Sequence, residues 1–390
     1  MNKRIYFLMV IAFVVGMVEL IISGILDLLS ADLNVSISQA GYLITIFALI
    51  FAFLSPVLLI VTANIERKRL MLICLWIFLI GNIVTIFSPN YTVVFIGRVI
   101  SAMSGALLTI LCLVMAPNMV QPEFRGRAIG IISMGVSGSL VLGVPIGLVL
   151  GGMYGWRAPF VMVAILTILS IIGVYLWMNP IEPEKQVPIQ TQLMSLKSRK
   201  VLFALLTTFL YMAGHTVLYA YFKPFLHDTM GLEGTWVSVI YFIFGIAAVS
   251  GGGIGGTLAD VFGSKKTIII SLILFTGTFL VIPSTTSFVP IFIVMSILWG
   301  ILSWGISPAM QSYLIETSPK TASIQQSLNN SALHLGVASG SFVGGLVIEH
   351  LSINQNAYVG SLLIFLSLVT ILISFRIKQA DISGIKIEQS

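Results

Sequence analysis

Along this chain, long apolar runs alternate with short breaks that are polar or punctuated by glycine and proline. The runs cover residues 6–29, 39–63, 70–88, 92–117, 127–151 and 157–179, then 201–226, 235–258, 267–284, 288–315, 323–348 and 354–376. Each is close to the roughly 20 apolar residues a helix needs to cross a bilayer. The pattern therefore predicts an all-α integral membrane protein with twelve transmembrane helices. A polar segment at 179–200 divides the runs six and six. It predicts two six-helix halves, 1–179 and 201–376, with a linker at 180–200 and a short tail at 377–390. The first run begins after Lys3 and Arg4, as a signal peptide would, but continues through Glu19 to Leu29 without a small-residue cleavage site. It reads as the first span.

Composition narrows the picture. Only 9% of the residues are charged and 57% are hydrophobic, whereas a soluble domain carries roughly 25% charged residues. Twelve spans and their loops use nearly all 390 residues, which leaves no room for an ATPase domain, and no GxxxxGK[ST] phosphate cradle occurs. The net charge of +6 follows membrane topology. With the N-terminus inside, 17 of the 20 Lys and Arg residues fall on the inner side, and only Arg98, Arg157 and Lys223 lie outside or within the bilayer. The positive-inside rule puts both termini in the cytoplasm. The basic residues are thus an orientation signal rather than a nucleic-acid surface. Cys74 and Cys112 sit inside apolar runs without metal or CxxC spacing, as buried thiols do. Lacking a nucleophile or metal constellation, the chain reads as a non-enzyme without a cofactor.

The halves repeat. GGTLADVFGSKK (Gly255–Lys266) stands in the second half where IVTANIERKRL (Ile60–Leu70) stands in the first, and MGVSGS (Met134–Ser139) is answered by LGVASGS (Leu335–Ser341). Duplicated halves with small-residue helices suit a transporter that rocks one half against the other.

At these residues the sequence resembles the major facilitator superfamily, and within it the twelve-span drug:proton antiporters. The loop with Gly256, Asp260, Gly263 and Lys265 is similar to the superfamily's signature between adjacent spans. Arg98 in FIGRVISAMSG looks like the fourth-span arginine linked to proton coupling. Gly143, Pro145 and Gly147 in GSLVLGVPIG look like the fifth-span antiporter motif. Several stretches, among them GMVELIISGIL, AGHTVLYAYFKPFL and SIQQSLNNSALHLGVASGS, look most like bacterial purine-base and nucleoside efflux pumps. The first-half loop departs from the pattern, with Ala63 and Glu66 where the family usually has Asp and Gly. The resemblance implies proton-driven export of purines or analogues across the bacterial cytoplasmic membrane by a monomer, with the proton as coupling ion. A gating ion pair would rest on Asp260 near Lys265.

The residues themselves offer candidates. Glu19 lies near the middle of the first span, where a charge costs roughly 2.5–3.5 kcal/mol. A carboxylate alternately dry and wet can take up and release a proton, and Gly16, Glu19 and Ser23 share one helical face. The plainer reading is a structural acid locked to a neighbouring helix. Asp27 lies roughly 12 Å further along the axis, at a depth that suits a solvated helix-end acid or, alternatively, an outer gate. Arg98 is shallow enough to snorkel, or to pair with a carboxylate such as Glu19. Tyr211, His215 and Tyr219 recur every four residues, forming either a ring-binding stripe or a packing seam. Asn329 and Asn330 need partners at their depth, either a helix or a ligand. Gln311, Tyr241 and Trp304 are weaker candidates. The mechanism expected is alternating access around a cavity lined by spans 1, 4, 7 and 11. Rivals are an exporter of lipophilic cations and a non-transporting receptor or scaffold.

Overall fold

Helices form where the apolar runs lie, because inside a bilayer each backbone N–H and C=O must be satisfied within its own segment. The computed structural model describes residues 3–62, 64–116, 119–121, 124–182, 198–317 and 322–377. Ala63 and most of the expected linker and tail lie outside them. The first half consists of α1 (Lys3–Leu33), α2 (Ile37–Val61), α3 (Arg67–Ile86), α4 (Tyr91–Met115), α5 and α6 (Ala158–Trp177). Of these, α5 runs over Arg125–Gly138, through a π-helical turn at Ser139–Gly143, into Val144–Tyr154. The second half consists of α7 (Arg199–Tyr219), α8 (Thr235–Phe262), α9 (Ser264–Thr285), α10 (Val289–Thr317), α11 (Ala322–His350) and α12 (Gln355–Arg376). All twelve are long and apolar enough to cross a membrane.

Two features were not expected. The seventh run does not form one helix, because α7 stops at Tyr219 and a short helix, Phe222–Met230, follows. Pro224 has no N–H to donate to the Ala220 carbonyl, and its ring would clash there, so α7 cannot continue through it. In α5 the Val144 N–H reaches back five residues to the Ser139 carbonyl. Pro145 next to it cannot donate, and the helix accommodates this with one wide turn.

Glycines set the spacing within each half. In lipid no hydrophobic force draws helices together, so close backbone approach has to supply the contact. A Cβ on Gly135 would meet the Met9 backbone oxygen, and on Gly143, Gly147 or Gly151 the side chains of Met17, Ile21 or Ile25. Both series advance by four along α5 and α1. In the second half Gly336, Gly340 and Gly344 of α11 rest on the carbonyls of Phe209, Ala213 and Val217 of α7. The repeated MGVSGS and LGVASGS segments thus do the same job in the two halves. The GGGIGG run behaves likewise on α8, where Gly251 meets the Ile301 backbone and Gly255 that of Gly305.

With six spans per half, the start of α1 and the end of α12 lie at one end of the bundle, here the terminal end. At the far end the halves are closed on each other. Lys223 Nζ lies 2.7 Å from Asp27 Oδ1, the Ser341 hydroxyl donates to the Gly41 carbonyl over 3.0 Å, and the Tyr42 and Phe342 rings stack at 5.7 Å. Gly245 of α8 rests on the backbone of Leu140 and Val141 of α5.

Candidate functional site

α1 carries the acids Glu19, Asp27 and Asp32 and bends between the first two, at Ile25, whose φ/ψ of −118°/15° leaves the helical region. The three basic residues that break the positive-inside pattern are each associated with one of these acids. Arg157 pairs with Asp32 at 2.7 Å, and the Trp156 indole donates to the same carboxylate over 2.8 Å. Lys223 of the short helix pairs with Asp27 across the halves. Asp27 is therefore a cross-half partner, rather than an acid that water alone solvates. Arg98 is fully buried in α4 and bonds the backbone next to Glu19, at Val18, without an ion pair to the Glu19 carboxylate within 4.0 Å. Its guanidinium donates to the Val18 carbonyl over 2.7 Å and lies over the Phe47 ring at 4.1 Å. Carbonyl and ring face lower the cost of burying the charge, although its Nε and Nη2 stay without a protein partner.

Glu19 faces the other half. Its Oε1 lies 3.5 Å from Nδ1 of His334 in α11, with 22% of the Glu19 side chain and 10% of the His334 side chain exposed. The distance does not close a hydrogen bond, and His334 Nδ1 has no protein partner. The imidazole packs at 5.0 Å on Phe51 of α2, which stacks at 4.9 Å on Phe47. A continuous line of contacts thus runs from the Arg98 guanidinium through two phenyl rings to His334, crossing from one half to the other. One turn along α1, the Ser23 carbonyl accepts from the Tyr241 hydroxyl over 3.3 Å. The Tyr219 ring lies 6.0 Å from that of Tyr241, and its buried hydroxyl has no protein partner.

The other expected residues divide between the half-interface and the helix cores. Tyr219 faces α1, but His215 behind it is buried and accepts the Trp299 indole N–H over 3.0 Å. His215 also stacks on Tyr219 at 5.1 Å, within an aromatic cluster containing Phe244, Phe275 and Phe279. Tyr211 is fully buried in the same half. The seventh-span stripe is thus a packing seam at Tyr211 and His215, and opens to the other half only at Tyr219. Asn329 and Asn330 also part ways, since Asn329 accepts the Thr208 hydroxyl of α7 over 2.7 Å while Asn330 is exposed. Asn330 lies one turn before His334 on the same face. Gln311 is tied to Ser307 over 3.2 Å, and Trp304 is half-buried.

In the signature loop, Asp260 and Lys265 are exposed and form no ion pair with each other, and Lys265 lies over the Phe375 ring at 5.6 Å. Gly263 turns the chain with φ of 87°, a conformation that favours glycine. Next to it the Ser264 hydroxyl donates to Glu316 over 2.9 Å. Gly256 lies beside Pro308. Gly143 and Gly147 of the fifth-span motif face α1 on either side of the depth of Glu19, and Pro145 lies between them.

Sequence reasoning passed over His334, Phe47 and Phe51. His334 carried a usable signal, being an ionisable residue near the middle of the eleventh run, one turn beyond Asn330. The two phenylalanines carried none, since nothing distinguishes them from other apolar residues in the second span.

A family model described as Major Facilitator Superfamily matches residues 8–322 and, in a second match, 206–389. The chain belongs to the major facilitator superfamily. Among its relatives is the uncharacterized MFS-type transporter YbcL of Bacillus subtilis (strain 168), 32% identical over 373 residues, 95% of either chain. Another is the uncharacterized MFS-type transporter YfhI of the same organism, 29% identical over 349 residues, 88% of this chain and 87% of that one. A solved bacterial homolog of the human lysosomal transporter Spinster, in an inward-facing and unoccupied conformation, superimposes with a TM-score of 0.71 at 18% identity over 95% of both chains. This chain is therefore a multi-pass membrane transporter with the twelve-helix, two-half fold of the superfamily.

Proposed function

We propose that this transporter is a proton-coupled exporter of small organic solutes in the bacterial cytoplasmic membrane, with both termini in the cytoplasm. The observation that carries this reading is the placement of Glu19, mid-span on α1, partly exposed, and facing His334 across the junction of the halves. With the far end closed, Glu19 communicates with the terminal side, and rocking of the halves turns it toward the other. A carboxylate that changes its surroundings in this way exchanges a proton in one state and holds it in the other. Arg98 is the fixed charge that keeps the empty site electrically balanced. One pH unit across the membrane can sustain about a tenfold solute gradient per proton exchanged.

The solute class is purine bases, nucleosides and close analogues. Asn330, Tyr219 and His334 offer donors and acceptors around the junction, and two of them hold buried polar atoms without protein partners. Such atoms favour a flat solute that hydrogen-bonds at its edge. The rival solute, a lipophilic cation, is disfavoured by the guanidinium close to Glu19, which cancels the negative potential a cation needs.

The test is accumulation of labelled hypoxanthine, adenine and guanosine in everted vesicles, with and without an imposed pH gradient. Gradient-driven accumulation that disappears in Glu19→Gln vesicles is expected. Wild-type accumulation in that variant would remove Glu19 from coupling. Efflux of a cationic dye without movement of any nucleobase would replace the solute class.

A further inference from the structure

The His334 imidazole has no role in the signature motifs and no hydrogen-bond partner in the protein at Nδ1. It is nonetheless held firmly. Its ring rests on Phe51, and the glycines that follow it on α11, Gly336 and Gly340, lock the helix onto α7 through backbone contacts. Nδ1 is aimed at Glu19 at 3.5 Å, so closing a hydrogen bond takes a movement of about half an ångström. Rocking of the halves separates them by far more, because one residue belongs to each half.

The surroundings leave few other groups for either residue to exchange a proton with. From α4 the nearest charge is Arg98, which stacks on Phe47 and bonds the Val18 carbonyl. From α2 the facing side chain is Phe51, and the one ionisable residue of that helix, Tyr42, stacks on Phe342 at the far end. From α7 the ionisable groups beyond Arg199 and Lys200 at its start are Tyr211, His215 and Tyr219, of which His215 is occupied by Trp299. On α10 Tyr313 bonds Ser374 of α12 and Glu316 bonds Ser264. On α12 the remaining ionisable groups are Tyr358 near its start and Arg376 at its end.

We propose that Glu19 and His334 form a proton-sharing dyad across the two halves, assembled when the far end is closed and broken when the halves rock. In the assembled state the proton on the Glu19 carboxyl passes to His334 Nδ1, leaving a carboxylate and an imidazolium whose Nε2–H is unchanged. Separation of the halves strands the proton on one partner, which ties release to the conformational step. His334 is a positioning and coupling residue, and it acts through Glu19. The inference rests on the proton-coupled reading but asks less of it, since it needs no particular solute.

The test is infrared difference spectroscopy of the full chain in liposomes, titrated with acid and base. The protonated-carboxyl band of Glu19 is identified by its loss in Glu19→Gln. In His334→Gln the midpoint of that band is expected to move by about one pH unit, because a partner within hydrogen-bond reach shifts a carboxyl by that order. An unchanged midpoint in His334→Gln would overturn the dyad and leave Glu19 as a lone carrier. If no band is lost in Glu19→Gln, the carboxyl never carries a proton, and the proton-coupled reading falls with it. His334→Asn, which is polar but shorter, supplies the same comparison should the Gln variant fail to fold.

Discussion

At the scale of single residues, burial gives each polar group of this protein one of two roles. His215 and Asn329 are paired inside their own half, His215 with Trp299 and Asn329 with Thr208. Their replacement by Ala should therefore cost stability before it costs selectivity, since each deletion leaves a buried partner unpaired. Glu19, His334 and Asn330 face the junction instead and are the positions where function is expected to be lost without unfolding. Glycine contacts allow a cleaner test. A Cβ at Gly255 would run into the Gly305 backbone, which cannot swing aside as a side chain would. Gly255→Ala is expected to lower stability by about 1–3 kcal/mol. Its thermal melting in detergent should fall well below that of Gly252→Ala, where nothing lies within 4 Å.

At the scale of elements, the departure at Glu66 has a structural reason. Its carboxylate caps α3, accepting the Lys68 and Arg69 N–H groups over 2.7 and 2.9 Å. It also accepts the Ile181 N–H over 2.9 Å, while the Arg67 N–H donates to the Ile181 carbonyl over 3.0 Å. The residues that leave α6 are thereby clasped to the start of α3, where a glycine could not have served. Burial pushes the Glu66 carboxyl up, but the three amide donors outweigh it and hold the group below the ordinary carboxylate range. The clasp therefore contributes fully above the unfolded-state value and is lost as pH falls through the lowered, folded-state one. Hydrogen exchange at the Ile181 amide is expected to quicken there, and at neutral pH in Glu66→Ala, whose lost cap costs about 1 kcal/mol.

At the scale of the whole molecule, the far end is closed by few polar contacts, and among the described residues the ion pair there that joins the two halves is Lys223–Asp27, placed where they must part. Lys223 is 16% exposed and Asp27 40%, so solvent screens the pair and its share in closure is at most about 1 kcal/mol. That is enough to shift a closed–open equilibrium roughly fivefold. Asp27→Asn and Lys223→Gln are each expected to increase labelling of a cysteine placed at Ser38, which is buried within the closure beside Gly345 of the other half. The exchange Asp27→Lys with Lys223→Asp should restore protection. Equal labelling in all four proteins would show that stacking and backbone contacts hold this end alone.

The number of spans, their limits to within a few residues, the division six and six and the unusual depth of Glu19 were all legible in the order of residues. Bilayer thickness and the cost of a buried charge act on one segment at a time, so no knowledge of neighbours was needed. The break after Tyr219 was legible in principle, since Pro224 forbids a continuous helix, and the apolar run hid it. Which polar side chains meet was decided by tertiary structure alone. Helical period says that Asn330 and His334 share a face, but not that this face turns toward α1 while Asn329 turns toward α7. That rotation is set by glycine contacts between helices whose partners lie more than a hundred residues away. Glu19 and His334, one from each half, become neighbours only when both halves have packed and the far end has closed.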